Sequence, residues 1–311
     1  MSHRCCFGPV AVLLSIGMLP IASCQDRAAS PRVSVRGGDG GGLARASPQQ
    51  ERIDAAALEG AAQDPAAQGL RAFVVMRESH IVFERYGGGV TADTVVDGGA
   101  FARAVLALTA SVAVSESSLG VIALRNFDPN ALRVGLESAT GQPYAQYLSQ
   151  KLWSRLNAHA AWIALPPAAG SVPAAVPVDC CLHARVLDWM RIAEVLADNG
   201  RFEGKQVIPA ALVQQMQRPM TLDAVRGFGV ELAPAAQGAE PFAVKGVFFV
   251  RGPEHWRLWL VPSLQLAVLF GAEGTGSMDE TRLPNLVIRA VSDRPTEPGN
   301  LSDLQRLVPG H

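Results

Sequence analysis

The sequence predicts an α+β fold in which one antiparallel sheet is flanked by helices. Residues 71–77 and 80–86 form two strand-like runs around Glu78-Ser79, which is a hairpin signal. Apolar runs with β-type composition lie near the other end of the chain, at residues 228–232, 242–251, 256–261 and 264–270. Because helical segments separate these two groups, we expect the sheet to be closed by strands from both ends of the chain.

The helical segments are indicated by their apolar spacing and by their end signals. Residues 101–115 predict a buried helix, and residues 130–141 and 143–156 predict two amphipathic helices. A further helix is expected at residues 183–198, where Asn199-Gly200 ends it. The other helical segments are residues 51–62, 209–217 and 278–291. We therefore expect one domain at residues 51–292, followed by a polar tail at residues 293–311.

The first 23 residues have the features of a secretory signal. His3 and Arg4 precede a mainly apolar stretch at residues 5–21, which is short for a membrane span. The run Ile21-Ala22-Ser23-Cys24 resembles a bacterial lipobox, in which small residues precede a cysteine that takes a diacylglycerol. This resemblance predicts a protein of the cell envelope, anchored to a membrane through Cys24 and facing the periplasm. An ordinary cleaved signal and a soluble periplasmic protein is the plainer alternative.

Two further features of the N-terminal region bear on the anchor. Gln25 is not the acidic residue that resembles an inner-membrane retention signal, and this favours the outer membrane. Residues 24–50 are polar and contain a glycine-rich run at residues 37–42, so they predict a flexible tether between lipid and domain.

Charge and cysteine content exclude several classes of function. The formal net charge is −1, so no basic field favours nucleic acid as a partner. Cys180 and Cys181 are adjacent, closer than ordinary disulfide geometry allows, and are therefore expected to be packed thiols. No cysteine or histidine spacing indicates a zinc site, and we expect neither a metal nor a cofactor.

Three blocks of the sequence resemble the serine β-lactamase and penicillin-binding protein family. They are most similar to its esterase and 6-aminohexanoate-dimer hydrolase-like members. The first block is residues 71–108; the second is Cys180-Cys181-Leu182-His183-Ala184-Arg185-Val186-Leu187-Asp188-Trp189, continuing to Pro209; the third is residues 252–270. With the helices between them, these blocks cover most of residues 51–292. The resemblance implies a β-lactamase/transpeptidase-like antiparallel sheet flanked by helices.

The residues that carry the chemistry of this family are altered. The family uses a serine at the start of the buried helix and a lysine three residues later, which accepts the serine proton. Ala100 and Arg103 stand at these two positions. Alanine has no nucleophile, and arginine stays protonated and cannot act as a base. The residues three before the chain's three lysines are Leu148, Phe202 and Phe242, so Ser-x-x-Lys occurs nowhere in the sequence.

The other two sequence boxes of the family are altered as well. Asn126-Phe127 stands where a tyrosine-containing element is expected. The third box matches Arg251-Gly252, but the glycines that should follow are replaced by Glu254-His255, and Trp256 could fill the cleft. The short passage from residue 120 to residue 126 replaces a long helical insertion of the relatives, which predicts a reduced helical subdomain. The candidate cleft therefore consists of Asn126, Phe127, Arg251, Gly252, Glu254, His255 and Trp256.

These observations predict a lipoprotein with a β-lactamase-related domain that has lost acyl transfer and binds a partner of the envelope. A cell-wall fragment, a peptide or another envelope protein would suit such a cleft. The alternative is an active serine hydrolase (an esterase, amidase or peptidase) with a relocated nucleophile, for which Glu254 and His255 would be an acid and a base. The other interpretation is that Glu254 and His255 are solvated loop residues without a catalytic role. A gene product without a selected role is a third hypothesis.

Overall fold

The computed structural model describes residues 31–166, 175–220, 225–232, 240–274 and 278–295. The chain divides into two compact units, residues 1–30 and residues 31–311, and every described residue belongs to the second. The predicted leader, Cys24 and the tail beyond residue 295 lie outside the described residues. Within the described ranges, no helix combines the length and the apolar character that a membrane span needs.

A five-stranded antiparallel sheet forms the centre of the domain, with the strand order β3-β2-β11-β10-β9. The strands β2 (Leu70–Arg77) and β3 (His80–Tyr86) form the predicted hairpin, with Glu78 and Ser79 at positive φ in its turn. The strands β9 (Phe248–Arg251), β10 (Arg257–Val261) and β11 (Leu266–Ala272) come from the other end of the chain. Pairing of β2 with β11, with Phe73 opposite Phe270, closes the sheet from both ends as predicted.

The side chains of alternate residues of β2 point into two separate hydrophobic cores, so both faces of the sheet are covered. Phe73 and Val75 belong to a core that is closed by α1 (Ala55–Ala62) and α7 (Arg282–Ala290). Val74 and Met76 point to the opposite core, which contains α2 (Phe101–Ser115) and α5 (Val186–Ala197). Because β2 is buried on both faces, it is apolar almost throughout rather than alternating. The remaining helices are α3 (Pro129–Thr140), α4 (Tyr144–Leu148) and α6 (Ala210–Met216).

A second, four-stranded sheet was not predicted. Its order is β1-β5-β6-β4, formed by β1 (Arg32–Val35), β4 (Val95–Asp97), β5 (Ala161–Ala164) and β6 (Leu182–Arg185). His183 therefore lies on β6 and stacks on the Trp162 ring at 5.3 Å, and the prediction that it starts a helix is wrong. The helix begins three residues later, at Val186. A two-stranded hairpin, β7 (Arg201–Phe202) and β8 (Lys205–Gln206), completes the strands of the described chain.

The prediction of a flexible tether fails for residues 31–50. Residues 32–35 form β1, which pairs along its whole length with β5. The glycines that follow allow close packing: a Cβ at Gly37 would lie 2.2 Å from the carbonyl oxygen of Ala158. Backbone N–H groups of the same segment donate two hydrogen bonds, from Gly38 N to the carbonyl oxygen of Ala158 at 2.8 Å and from Asp39 N to the side-chain Oδ1 of Asn157 at 2.8 Å. The glycine-rich composition therefore reflects contact with the domain.

Other boundaries differ from the expectation. The predicted helix at residues 143–156 is α4 followed by a π-helical turn at Ser149–Trp153 and a 3-10 turn at Ser154–Leu156. The apolar run at residues 228–232 forms isolated bridges rather than a strand, with Glu231 bridging Arg226 and Phe249. Between α2 and α3 lies only a short 3-10 turn at Val121–Leu124, which agrees with a reduced helical subdomain.

Candidate functional site

A cleft lies where the start of α2 meets the end of β9. It encloses about 400 Å³, within the range of roughly 300–1,000 Å³ that small-molecule pockets occupy. Five parts of the chain form its wall: the start of α2, residues 127–129 at the start of α3, Met220, residues 226–231, and the end of β9. The lining residues are Ala100, Arg103, Phe127, Pro129, Met220, Arg226, Gly227, Gly229, Val230, Glu231, Val250 and Arg251.

Ala100 is the N-cap residue of α2, and its side chain makes no capping hydrogen bond. The chain reaches this position through Gly99, whose φ is +48° and where a Cβ would lie only 2.7 Å from Pro253 Cδ and 3.5 Å from the carbonyl carbon of Gly252. The start of α2 therefore abuts the end of β9 at Gly252. This is the contact that the sequence resemblance requires, since it places Ala100 and Arg103 beside the third box.

The described lining of the cleft contains no serine, threonine, cysteine, lysine, histidine or tyrosine. Ala100 contributes a methyl group at the position of the family's serine, and Arg103 contributes a guanidinium where the base is expected. The serines farther along α2 are engaged elsewhere: Ser111 Oγ donates to Ala107 O at 2.9 Å, and Ser115 Oγ donates to Val112 O at 2.7 Å. Neither serine lines this cleft.

One of the lining residues, Gly229, packs closely against α2. Gly229 has a φ of +78°, and a Cβ there would lie 2.8 Å from both the carbonyl oxygen of Arg103 and the Cβ of Ala107. Its neighbour Phe228 is buried and packs edge-on against Phe127, with ring centroids 5.1 Å apart. The loop at residues 227–230 therefore lies directly on the first turns of α2.

Two carboxylates and two arginines form a chain of ion pairs that starts at the wall of the cleft, where Glu231 and Arg251 line it. Arg251 pairs with Glu231 at 2.9 Å and with Glu280 at 3.2 Å, and Glu280 also accepts from Arg257 Nε at 2.9 Å. Arg251 and Arg257 are cross-strand partners, so Glu280 separates two like charges that face each other. Burial raises the pKa of Glu231, although the Arg251 guanidinium opposes this shift.

Arg103 is less firmly held than the arginines of that ion-pair chain. Among the described residues its ion-pair partner is Asp179, at 3.8 Å, and both side chains are 44% exposed. Cys180 and Cys181 follow Asp179 and form a disulfide, so the prediction of two packed thiols is wrong. The prediction assumed that the Cα atoms of adjacent cysteines are too close together for a disulfide. In the structure the bond joins these two adjacent residues, and Cys181 has a φ of +68°. Among the described residues no cluster of metal-ligating side chains occurs.

The predicted cleft residues divide into three groups. Phe127 and Arg251 line the cleft with Ala100 and Arg103, and Gly252 adjoins its edge. Asn126 lines a separate surface pocket beside α3. Three others lie away from the lining, in the turn between β9 and β10: Glu254, His255 and Trp256.

Trp256 lies in the core and does not fill the cleft. It is 8% exposed, and a Cβ at Gly271 on β11 would lie 2.6 Å from its ring. The His255 ring similarly covers Gly274, where a Cβ would be 2.5 Å from Cε1. Glu254 has a φ of +49° in the turn, and its carbonyl accepts from Arg257 at 3.0 Å.

Sequence reasoning missed Asp179, Arg226, Glu231 and Glu280. Glu231 lies within an apolar run that predicts a strand, and nothing in its neighbours marks it as a partner of Arg251. Glu280 lies 23 residues from Arg257 and just before α7. Asp179 directly precedes the cysteine pair, and this is the one local signal that could have drawn attention to it.

The described chain has the β-lactamase/transpeptidase-like fold that the three sequence blocks imply. A protein from Bacillus anthracis assigned as a 6-aminohexanoate-dimer hydrolase is similar with a TM-score of 0.64 and 12% identity, over 84% of this chain and 90% of that one. A β-lactamase from Mycobacterium bovis has a TM-score of 0.58 at 13% identity, over 76% and 99% of the two chains.

A penicillin-binding protein homologue from Caulobacter crescentus has a TM-score of 0.57 at 13% identity, over 80% of this chain and all of that one. No protein-family model and no curated protein matches the sequence. The likeness at these identities establishes the fold of β-lactamase-like serine hydrolases, and the chemistry has to be argued from the cleft itself.

Proposed function

We propose that this chain is a non-catalytic binding protein built on the β-lactamase-like fold. The observation that carries the proposal is the pair Ala100 and Arg103 at the wall of the cleft. Acyl transfer by this fold needs a hydroxyl nucleophile and a group that takes its proton, and neither is supplied by these two side chains. A cavity of about 400 Å³ suits a small molecule or a short peptide end, so a cell-wall fragment or a peptide is the proposed ligand.

The alternative of an active hydrolase with a relocated nucleophile has less support. The hydroxyl groups of Ser111 and Ser115 donate hydrogen bonds to backbone carbonyl oxygens of their own helix. The candidate base His255 belongs to the β9–β10 turn. Its ring lies over Gly274, and it is not among the residues that line the cleft.

The proposed location is the bacterial envelope, with a lipid on Cys24. The support for this proposal is the run Ile21-Ala22-Ser23-Cys24, which resembles a lipobox. Two acyl chains would make such attachment stable.

Exposure to a fluorophosphonate and, separately, to a penicillin tests the absence of acyl transfer. We expect the full chain, purified in mild detergent, to show no adduct in its intact mass. The double variant Ala100→Ser with Arg103→Lys should react faster with the fluorophosphonate than Ala100→Ser alone, because lysine can lose its proton and arginine cannot. A stoichiometric adduct on one serine of the unmodified chain would refute the proposal.

The same mass measurement tests the anchor. Lipidation predicts a mature N-terminus at Cys24 carrying a diacylglycerol, and Cys24→Ser should abolish it. An unlipidated chain that starts at or beyond residue 24 would instead indicate an ordinary cleaved signal.

A further inference from the structure

The arginines of the domain differ in how firmly they are held. Arg77 is 3% exposed and donates to Leu264 O, Glu51 O and Asp293. Arg257 is 7% exposed and donates to Glu280, Glu254 O and Trp256 O. Arg103 is different, since its guanidinium lines the cleft and its pair with Asp179 spans 3.8 Å, beyond hydrogen-bond distance. An exposed pair of this length contributes little.

The cleft combines this loosely held cation with an apolar surface. Phe127, Met220, Val230 and Val250 all line it. The one carboxylate in its described lining, Glu231, is already paired with Arg251 at 2.9 Å. Arg226 also lines the cleft. A ligand therefore meets guanidinium groups, among them that of Arg103, together with these apolar side chains.

We infer that the cleft binds a small molecule that carries a carboxylate next to an apolar group, and that Arg103 anchors the carboxylate. This inference rests on the proposed function, because the arginine takes the place of the base. The planar guanidinium can donate two parallel hydrogen bonds to a carboxylate, at distances near 2.8 Å rather than 3.8 Å. The ligand carboxylate replaces Asp179 as the partner of Arg103.

Asp179 therefore acts as an internal competitor. Its carboxylate lies 3.8 Å from the Arg103 guanidinium and repels an incoming anion. Removing its charge should strengthen binding, whereas removing the charge of Arg103 should weaken it. If binding came instead from a general positive field around the cleft, removing the charge of an exposed arginine outside the cleft would weaken it as much as removing the charge of Arg103.

The test uses N-phenylacetylglycine and its primary amide, which share one shape and differ in charge. Their dissociation constants are measured by calorimetry on the full chain and on three variants: Arg103→Gln, Asp179→Asn and, as the matched control, Arg125→Gln. Arg125 is exposed and lies outside the described lining of the cleft. Circular dichroism checks that each variant is folded.

We expect the acid to bind at least about tenfold more tightly than the amide, as for a hydrogen bond to a charged group. Arg103→Gln should abolish this preference, Asp179→Asn should increase it, and Arg125→Gln should leave it unchanged. Equal binding of acid and amide, no binding of either at millimolar concentration, or equal losses in Arg103→Gln and Arg125→Gln would overturn the inference.

Recovery of the ligand separates this result from the proposed function. Chromatography after prolonged incubation should return N-phenylacetylglycine intact. Release of phenylacetate and glycine would refute the non-catalytic assignment, while the acid-to-amide ratio would still decide the role of Arg103.

Discussion

The ion-pair chain beside the cleft makes a quantitative test of the fold. Glu280 is 6% exposed and lies between Arg251 and Arg257, which face each other on adjacent strands. Substitution of Glu280→Gln keeps the size of the side chain and removes its charge. The two guanidinium groups then face each other with one carboxylate fewer, and Arg251 keeps its ion pair with Glu231.

The magnitude follows from the burial of this carboxylate. Removing one partner of a buried ion pair costs about 3–5 kcal/mol, because the remaining charge is left without compensation. Arg251 keeps Glu231, so the lower end, about 3 kcal/mol, is expected. For a domain of this size that loss lowers the Tm by roughly 6–12 °C. Glu240→Gln is the matched control, since Glu240 and Arg289 are 52% and 45% exposed, and a surface pair contributes at most about 1 kcal/mol.

Urea unfolding followed by circular dichroism measures both variants. The effect of Glu280→Gln should persist in 1 M NaCl, as a buried pair is poorly screened, whereas the small effect of Glu240→Gln should shrink. If Glu280→Gln loses no more stability than Glu240→Gln, the ion-pair chain does not hold the β9 and β10 ends together and the reasoning is refuted.

Three further predictions concern single features. Gly229→Ala should destabilise the domain by about 1–3 kcal/mol because the backbone at this position has a positive φ. The control Gly135→Ala, in α3 with open space around it, should be neutral or stabilising. Equal effects of the two variants in urea unfolding would contradict the packing of residues 227–230 on α2. Burial raises the pKa of the Glu194 carboxyl above its usual 4.5. The free energy of unfolding of the unmodified protein, relative to that of Glu194→Gln, should therefore rise as pH falls from 7 through the raised pKa, and level off below 4.5. A difference that does not depend on pH would exclude the raised pKa. Cys180 and Cys181 should resist iodoacetamide until a reductant is added, and alkylation without reduction would exclude the disulfide.

Local patterns predicted the central sheet well. The hairpin of β2 and β3, the strands β10 and β11, and the helix α2 are where the sequence places them, because apolar spacing and turn residues act over a few neighbouring positions. The second sheet was missed because its strands are short and pair over long distances: Ser34 opposes Trp162, and Trp162 opposes His183. Four residues carry too little pattern to be recognised without their partner.

The candidate site was predicted in part. Ala100, Arg103, Phe127 and Arg251 meet in one cleft, as the resemblance to the family required. Trp256 was expected near the cleft, but it packs against Gly271 of the adjacent strand, a contact that depends on strand pairing and not on its neighbours in sequence.

The sequence by itself determined that Ser-x-x-Lys is missing, since this is a property of the residue order and holds whatever the fold. It also determined the α+β class through the period of its apolar residues. Only the tertiary structure decided that Asp179 lies beside Arg103 and Glu280 between two arginines. It also decided that the glycine-rich segment at residues 37–42 packs on the domain. Such contacts join residues far apart in the chain, and their energy exists only once the elements between them have folded.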